Sequence, residues 1–290
     1  MKGKLMRLLP LVLSVLGLAG CTFNVKESNL VFGGAAPGPD IAQVREANAG
    51  YRIEEERIRT GDGEDLFSLR FIREDAVATV LYFGGNGYTI SRQAGRTSGV
   101  YRDLPVNLVL VDHRGYGGSS GSASLAALMS DAVELHDAVR ADPVLGSVPL
   151  VVHGHSLGSF MAGRLAEQRT LDGLVLESTV TTAEAWTAHL RSQQRWWIRA
   201  LVWKVTPAEN LRGLGNAGPV SGLDRPVLLV VGEDDEVTPP RFSRELYEAA
   251  PVPDDRKQLL VVPGRGHADA ADSADFKTAV AGLLRGLPQG

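Results

Sequence analysis

Hydrophobic and polar positions fall into two regimes along the chain. From Tyr51 to Arg59 and from Leu66 to Arg73 they alternate, which predicts two strands. Gly61-Asp62-Gly63 supplies the turn between them. From Ala76 onward the alternation gives way to short runs with almost no polar position. These are Thr79 to Phe83, Leu108 to Val111, Leu150 to Val152, Leu174 to Leu176, Val227 to Val231 and Leu259 to Val262. Runs so short and so apolar suit strands buried on both faces. Helical stretches at Leu125 to Arg140, Leu157 to Gln168, Arg241 to Ala250 and Ala274 to Leu284 separate most of them. The order predicts an α/β fold: a mostly parallel twisted sheet with helices on both faces.

Two regions depart from this rhythm. Thr22 to Gly50 is rich in Gly, Pro and Ala and reads as a linker, with a helical turn or two over Ala42 to Ala49. Between Ser178 and Asp224 the alternation of strand and helix breaks. That segment holds all four tryptophans, Trp186, Trp196, Trp197 and Trp203, interleaved with Arg191, Arg195, Arg199 and Lys204.

The first twenty residues carry a basic start (Lys2, Lys4, Arg7) and an apolar stretch from Leu8 to Leu18. That stretch is shorter than the roughly 20 residues a membrane-spanning helix needs, so it reads as a secretory signal. It ends Leu18-Ala19-Gly20-Cys21, and Cys21 is the only cysteine, which excludes an intrachain disulfide. At 290 residues the chain can bury a sizeable core, and a net charge of −4 with no basic run beyond the leader excludes a nucleic-acid partner.

Candidate chemistry sits just after the buried runs, where open parallel sheets gather their ligands. After Val152 comes Gly154-His155-Ser156-Leu157-Gly158, a G-x-S-x-G between a buried strand and a helix. In that context the serine occupies a sharp turn with its hydroxyl exposed at the sheet's carboxyl edge. A second match, Gly117-Gly118-Ser119-Ser120-Gly121, has no helix starting behind its serine and reads as a flexible turn. Gly84-Gly85-Asn86-Gly87-Tyr88 follows the first central run, and Asp112-His113-Arg114 the second. Gly232-Glu233-Asp234-Asp235-Glu236 and Pro263-Gly264-Arg265-Gly266-His267 follow the last two. Three acids are candidates for a partner to a histidine: Asp234, Asp235 and Glu177. Asp112 and Arg114 brace the Gly-rich loop, and His153 reads as a hydrogen-bonded core residue. His136 and His189, on helices without metal-ligand spacing, read as surface residues.

The joint occurrence of these motifs, in this order over Tyr51 to Leu284, resembles the α/β-hydrolase superfamily, in particular its single-domain serine hydrolases (esterases, acyl hydrolases and aminopeptidase-like enzymes). The resemblance implies Ser156 as nucleophile, Asp235 as acid and His267 as base. The backbone N–H groups of Leu157 and Asn86 would form the oxyanion hole, and no metal or cofactor is needed. Many relatives carry His-Gly where this chain has Gly84-Gly85. The resemblance also implies a small helical cap inserted after the sixth strand, over about 179–224. Tyr88, Trp186, Trp196 and Trp197 are candidates to line a substrate pocket there, although the tryptophans would equally pack the cap onto the sheet or touch lipid headgroups. The segment ending at Cys21 resembles the lipobox of bacterial lipoproteins, which implies acylation of Cys21. Thr22 rather than Asp behind it leans towards the outer membrane.

The expected organisation is therefore a signal peptide over 1–20, a lipid-anchored linker over 21–50 and a hydrolase domain over 51–290. The expected activity is cleavage of a carboxylic ester or thioester through an acyl-enzyme. The partners are a small-molecule or lipid-like ester and, through Cys21, a membrane. Peptidase action on short peptides and a non-catalytic binding module are the alternatives.

Overall fold

The computed structural model describes residues 21–35 and 41–288; the signal peptide expected over 1–20 lies outside them. Strands β1 (Cys21–Val25) and β2 (Gly34–Ala35) come first, followed by helix α1 (Ile41–Ala47). The expected hairpin follows as β3 (Arg52–Arg59) and β4 (Asp65–Ile72), paired antiparallel in full register. Next come β5 (Ala78–Phe83), α2 (Ile90–Tyr101), β6 (Val106–Val111), the short β7 (Tyr116–Gly117) and α3 (Leu125–Ala141). β8 (Leu150–His155) leads into α4 (Leu157–Gln168), and β9 (Gly173–Glu177) closes the regular part. The Trp-rich stretch forms α5 (Ala183–Ser192), α6 (Trp196–Leu201), β10 (Val202–Pro207) and α7 (Ala217–Ser221). The chain then completes the sheet with β11 (Val227–Gly232), α8 (Pro240–Ala249), β12 (Lys257–Val262) and α9 (Ala274–Arg285).

The central sheet has eight strands in the order β12-β11-β9-β8-β5-β6-β4-β3. From β6 to β12 every neighbour is parallel, and only β4 and β3 run against their partners. β5, β6, β8, β9 and β11 are buried along almost their whole length, which explains why their sequences show no alternation. Two apolar cores lie on opposite faces of the sheet, one under α3 and α4 and the other under α2 and α9. The carboxyl ends of β5, β8, β11 and β12 converge on one edge.

α2 is the helix the sequence reading missed. Its run Ile-Ser-Arg-Gln-Ala-Gly-Arg-Thr-Ser-Gly-Val-Tyr carries two glycines and three Ser or Thr, all weak helix formers. Packing of Ile90, Ala94, Val100 and Tyr101 onto the sheet overrides that propensity.

The segment expected as a lipid-anchored linker over 21–50 is, in its described part, paired with the domain. β1 pairs parallel with β10, and β2 with β7. Val25 is buried, and Glu27 Oε1 accepts the N–H of Leu125 at 2.6 Å, at the start of α3. Opposite charge at a helix N-terminus is favourable, so Glu27 adds to the strand pairings that hold this segment on the domain.

Candidate active site

β8 ends in a turn that the sequence can hold in only one way. Ser156 sits at φ 50° and ψ −112°, a backbone region that costs a non-glycine residue about 1–3 kcal/mol. Its N–H donates to Glu177 O at 2.9 Å, tying the turn to β9. Both flanking glycines are required by close approach. A Cβ on Gly154 would lie 2.3 Å from Gly158 O, and one on Gly158 would lie 2.0 Å from Phe83 O. The strain is thus imposed from three sides: by β9, by the end of β5 and by the first turn of α4. It presents the serine hydroxyl outside the strand ends.

What meets that hydroxyl comes from the last two strands. His267 Nε2 lies 2.9 Å from Ser156 Oγ, and His267 Nδ1 lies 3.0 Å from Asp235 Oδ2 and 3.1 Å from Oδ1. Asp235 is buried and its carboxylate is held on every side. Oδ1 accepts from the N–H groups of Val237 and Thr238, and Oδ2 accepts from Thr238 Oγ1 at 2.6 Å. Burial pushes the carboxyl up, but the contacts with His267 and Thr238 outweigh it, so its pKa falls below the ordinary value. The side chain is therefore an anion facing the imidazole, and it fixes the Nδ1–H tautomer.

The two rival acids are placed elsewhere. Asp234 is exposed to solvent. Glu177 is buried one strand over, with Oε2 3.2 Å from His153 Nε2 and Oε1 accepting the N–H of Ala271 at 3.1 Å. Burial alone would raise its pKa, but His155, His153 and the Ala271 N–H hold it well below the carboxylate range.

The loop after β5 packs against the elbow. A Cβ on Gly85 would lie 2.8 Å from His155 Nδ1 and 3.4 Å from Ser156 Cβ. His113 Nε2 hydrogen-bonds Gly84 O at 2.8 Å, Tyr116 Oη donates to Asn86 Oδ1 at 2.9 Å, and Asp112 Oδ1 accepts from Ile90 N at 2.7 Å. The loop is thus fixed at its start, middle and end. Leu157 contributes the first amide of α4, whose N–H has no partner within the helix. Asp112 also accepts from Gly118 N at 2.8 Å and so braces the Gly-rich loop as expected, whereas Arg114 pairs with Asp131 of α3 and with Asp62 of the turn after β3.

Several expectations do not hold. The Tyr88 ring is buried against Tyr82, at a centroid distance of 5.4 Å. Trp196 is 80% exposed and Trp197 40%, so neither walls a water-excluding acyl pocket. His136 and His189 are buried rather than on the surface. Trp186 is half-buried and donates from Nε1 to Val237 O at 3.2 Å, while His189 Nε2 hydrogen-bonds Glu236 O at 2.8 Å. One helix of the insertion therefore holds the loop that carries Asp235.

Other residues were not anticipated at all. His155 Nε2 and Ser178 Oγ both hydrogen-bond His267 O at 2.9 Å, fixing the backbone of the histidine rather than its ring. Thr238 had a local signal, since an Asp followed three residues later by Thr is a turn in which the carboxylate takes the backbone N–H groups. His155 and Ser178 had none, because their partner lies far away in sequence, on the loop after β12.

The arrangement can be set beside known proteins. A family model described as serine aminopeptidase, S33 (Hydrolase_4) matches residues 103–216. The Pyrococcus furiosus esterase PF2001 superimposes with a TM-score of 0.67 over 89% of this chain and 99% of its own, at 16% identity. The chain belongs to the α/β-hydrolase superfamily. This hydrolase is 29% identical over 245 residues to an uncharacterized protein of Mycobacterium tuberculosis, covering 83% of this chain and 79% of that one. It is 31% identical over 182 residues to the lysophosphatidylserine lipase ABHD12 of Danio rerio, covering 59% of this chain and 47% of the lipase. To protein bem46 of Schizosaccharomyces pombe it is 27% identical over 198 residues, covering 66% of this chain and 64% of bem46.

Proposed function

We propose that this hydrolase is a serine hydrolase that cleaves a carboxylic ester or thioester through an acyl-enzyme. The reading rests on the unbroken hydrogen-bonded row from Ser156 through His267 to Asp235, mounted on a strained elbow. A serine hydroxyl is a weak nucleophile until a base takes its proton. His267 Nε2 takes it as Ser156 Oγ attacks the carbonyl carbon, and Asp235 stabilises the imidazolium that results. The oxygen that becomes negative is met by the N–H groups of Leu157 and Asn86, each worth about 3 kcal/mol to the transition state. The imidazolium returns its proton to the leaving alkoxide or thiolate. Water activated by the same nitrogen then releases the acid and restores Ser156.

A lipid-like ester is the favoured substrate class, because one relative is named a lysophosphatidylserine lipase. Peptidase action on short peptides is the second reading, since the matching family model is described as a serine aminopeptidase. The leader sequence adds the proposal that Cys21 is acylated and tethers the enzyme to the outer membrane, facing the periplasm. Mass spectrometry of the mature N-terminus checks that point, and an unmodified Cys21 sinks it.

A fluorophosphonate probe tests the chemistry. It should label the protein, and Ser156→Ala should remove the label; labelling that survives the substitution, or no labelling at all, rejects the reading. Turnover of p-nitrophenyl esters of graded acyl length, measured beside aminoacyl anilides, then decides between ester and peptide.

A further inference from the structure

The Trp-rich insertion carries a surface that the domain does not cover. α6 has no buried residue, and six residues are too few for a helix to stand alone in water. It leads into β10, which among the described residues pairs only with β1, in a two-stranded sheet separate from the central one. Such a pair is marginal without further packing. Most of the large exposed apolar side chains among the described residues gather on this edge: Phe23, Trp196, Trp197, Leu201 and Trp203. Trp196 and Trp203 are 80% and 76% exposed.

The charge here is opposite to that of the whole molecule. Arg195, Arg199 and Lys204 are exposed, and none has an acidic partner within salt-bridge distance among the described residues, whereas the chain carries −4 overall. Arg191 of α5 is turned inward instead, donating from Nε to Val202 O at 3.0 Å and so fastening β10 to α5. The path of the chain adds a third observation. β1 begins at Cys21, which pairs with Val202 at the start of β10. The candidate acylation position therefore lies on this edge.

We infer that the edge formed by α6, β10 and the start of β1 docks on an anionic phospholipid bilayer. Trp196, Trp203 and Leu201 enter the interface, and Arg195, Arg199 and Lys204 meet the headgroup phosphates. Amphipathic tryptophans favour the level of the headgroups, where one part of the ring is apolar and the other wet. Each cation held near an anionic surface strengthens docking about fivefold. A bilayer is a better occupant than a protein because Cys21, the residue proposed to carry the lipid, stands at the start of β1 on this edge. The docked edge also reaches the candidate site through one helix. α5 holds β10 through Arg191, and holds the Asp235 loop through Trp186 and His189. This last link rests on the proposed serine chemistry; the docking itself does not.

The chain's own tryptophans provide the test. The full-length protein is reconstituted in vesicles of phosphatidylcholine with and without phosphatidylglycerol, each doped with brominated phospholipid as a quencher. Tryptophan emission should be quenched when phosphatidylglycerol is present and recover when it is omitted or salt is raised. Trp196→Phe with Trp203→Phe should remove most of the quenching. Replacing Arg195, Arg199 and Lys204 by Gln should abolish the dependence on phosphatidylglycerol. Unquenched emission in all vesicles overturns the proposal, as does quenching indifferent to lipid charge. Blue-shifted but unquenched emission, with crosslinked dimers, overturns it in favour of a second copy on this face. Ser156→Ala should quench like the parent, so loss of the hydrolase reading and loss of the docking are separate results.

Discussion

The elbow and the insertion are neighbours through α5, yet they are built on opposite principles. At the elbow every atom is over-determined: Gly154 and Gly158 are in backbone contact, Ser156 is strained, and Asp235 has all its acceptor positions engaged. Such a site is pre-organised, so little rearrangement accompanies the build-up of charge. At the outer end of the insertion almost nothing is determined from within. α6 buries no residue, and its tryptophans face outward. A region shaped by the fold tolerates little, whereas one shaped by something outside the fold has its energetics in that other medium. The contrast predicts that substitutions at the elbow are read in catalysis and those at α6 in location.

The largest effect is expected at the two ends of the proton path. Ser156→Ala and His267→Ala should each lower kcat by about 10⁶-fold, as for serine enzymes whose nucleophile and base act as a unit. Thermal unfolding should be nearly unchanged, and in Ser156→Ala it should rise slightly if the strained turn relaxes. A double variant no worse than either single one sharpens the claim. Additive losses would break it, because the two residues would then act independently.

Asp235→Asn comes next, with an expected loss of roughly 10³ to 10⁴-fold as the imidazole loses its tautomer and its anionic partner. Asp234→Asn should change kcat/KM by less than about twofold, since an exposed group away from the hydrogen-bonded row has no route to the chemistry. The reverse ranking would move the acid.

Glu177 gives a prediction of stability rather than rate. Its folded pKa lies below the ordinary carboxylate value, so its contribution is full above about pH 4.3 and lost as pH falls through the folded pKa. Urea unfolding of the parent should therefore weaken in that acid window, and Glu177→Gln should show a flatter pH dependence there. Above the window the variant should be less stable by about 1–3 kcal/mol, from the buried His153 and Ala271 N–H partners it leaves poorly matched. An unchanged acid limb would show that another carboxylate sets it.

How much of this was legible in the sequence follows the same division. The elbow was readable because close packing leaves only glycine at positions 154 and 158, and the strands because burial on both faces erases alternation. Asp235 and His267 were readable from their position after β11 and β12, although the choice of Asp235 over Asp234 drew on family likeness. The pairing of β1 with β10 was not readable: its partners lie far apart in sequence, and neither strand has a pattern of its own. The tryptophans left three readings open, a pocket wall, packing of the cap or contact with headgroups, for a related reason. A Trp is usually largely buried whatever its role, so a cluster of them does not tell these readings apart until the burial of each is seen. His189 misled, being a helix histidine that the Asp235 loop covers.

The smallest effect separates two tryptophans of the same insertion. Trp186→Phe keeps a ring against the core but removes the N–H that Val237 O accepts. The expected cost is about 0.5–1.5 kcal/mol of stability. Val237 lies two residues from Asp235 and its own N–H donates to that carboxylate, so kcat should fall severalfold while KM for a small soluble ester stays unchanged. Trp196→Phe alters a side chain in solvent and should shift stability by no more than about 0.5 kcal/mol, with no change in kcat for the same ester. Differential scanning calorimetry and steady-state kinetics on both variants decide the matter. Equal behaviour of the two would mean that α5 does not hold the acid loop, and that the insertion acts on the chemistry as a whole or not at all.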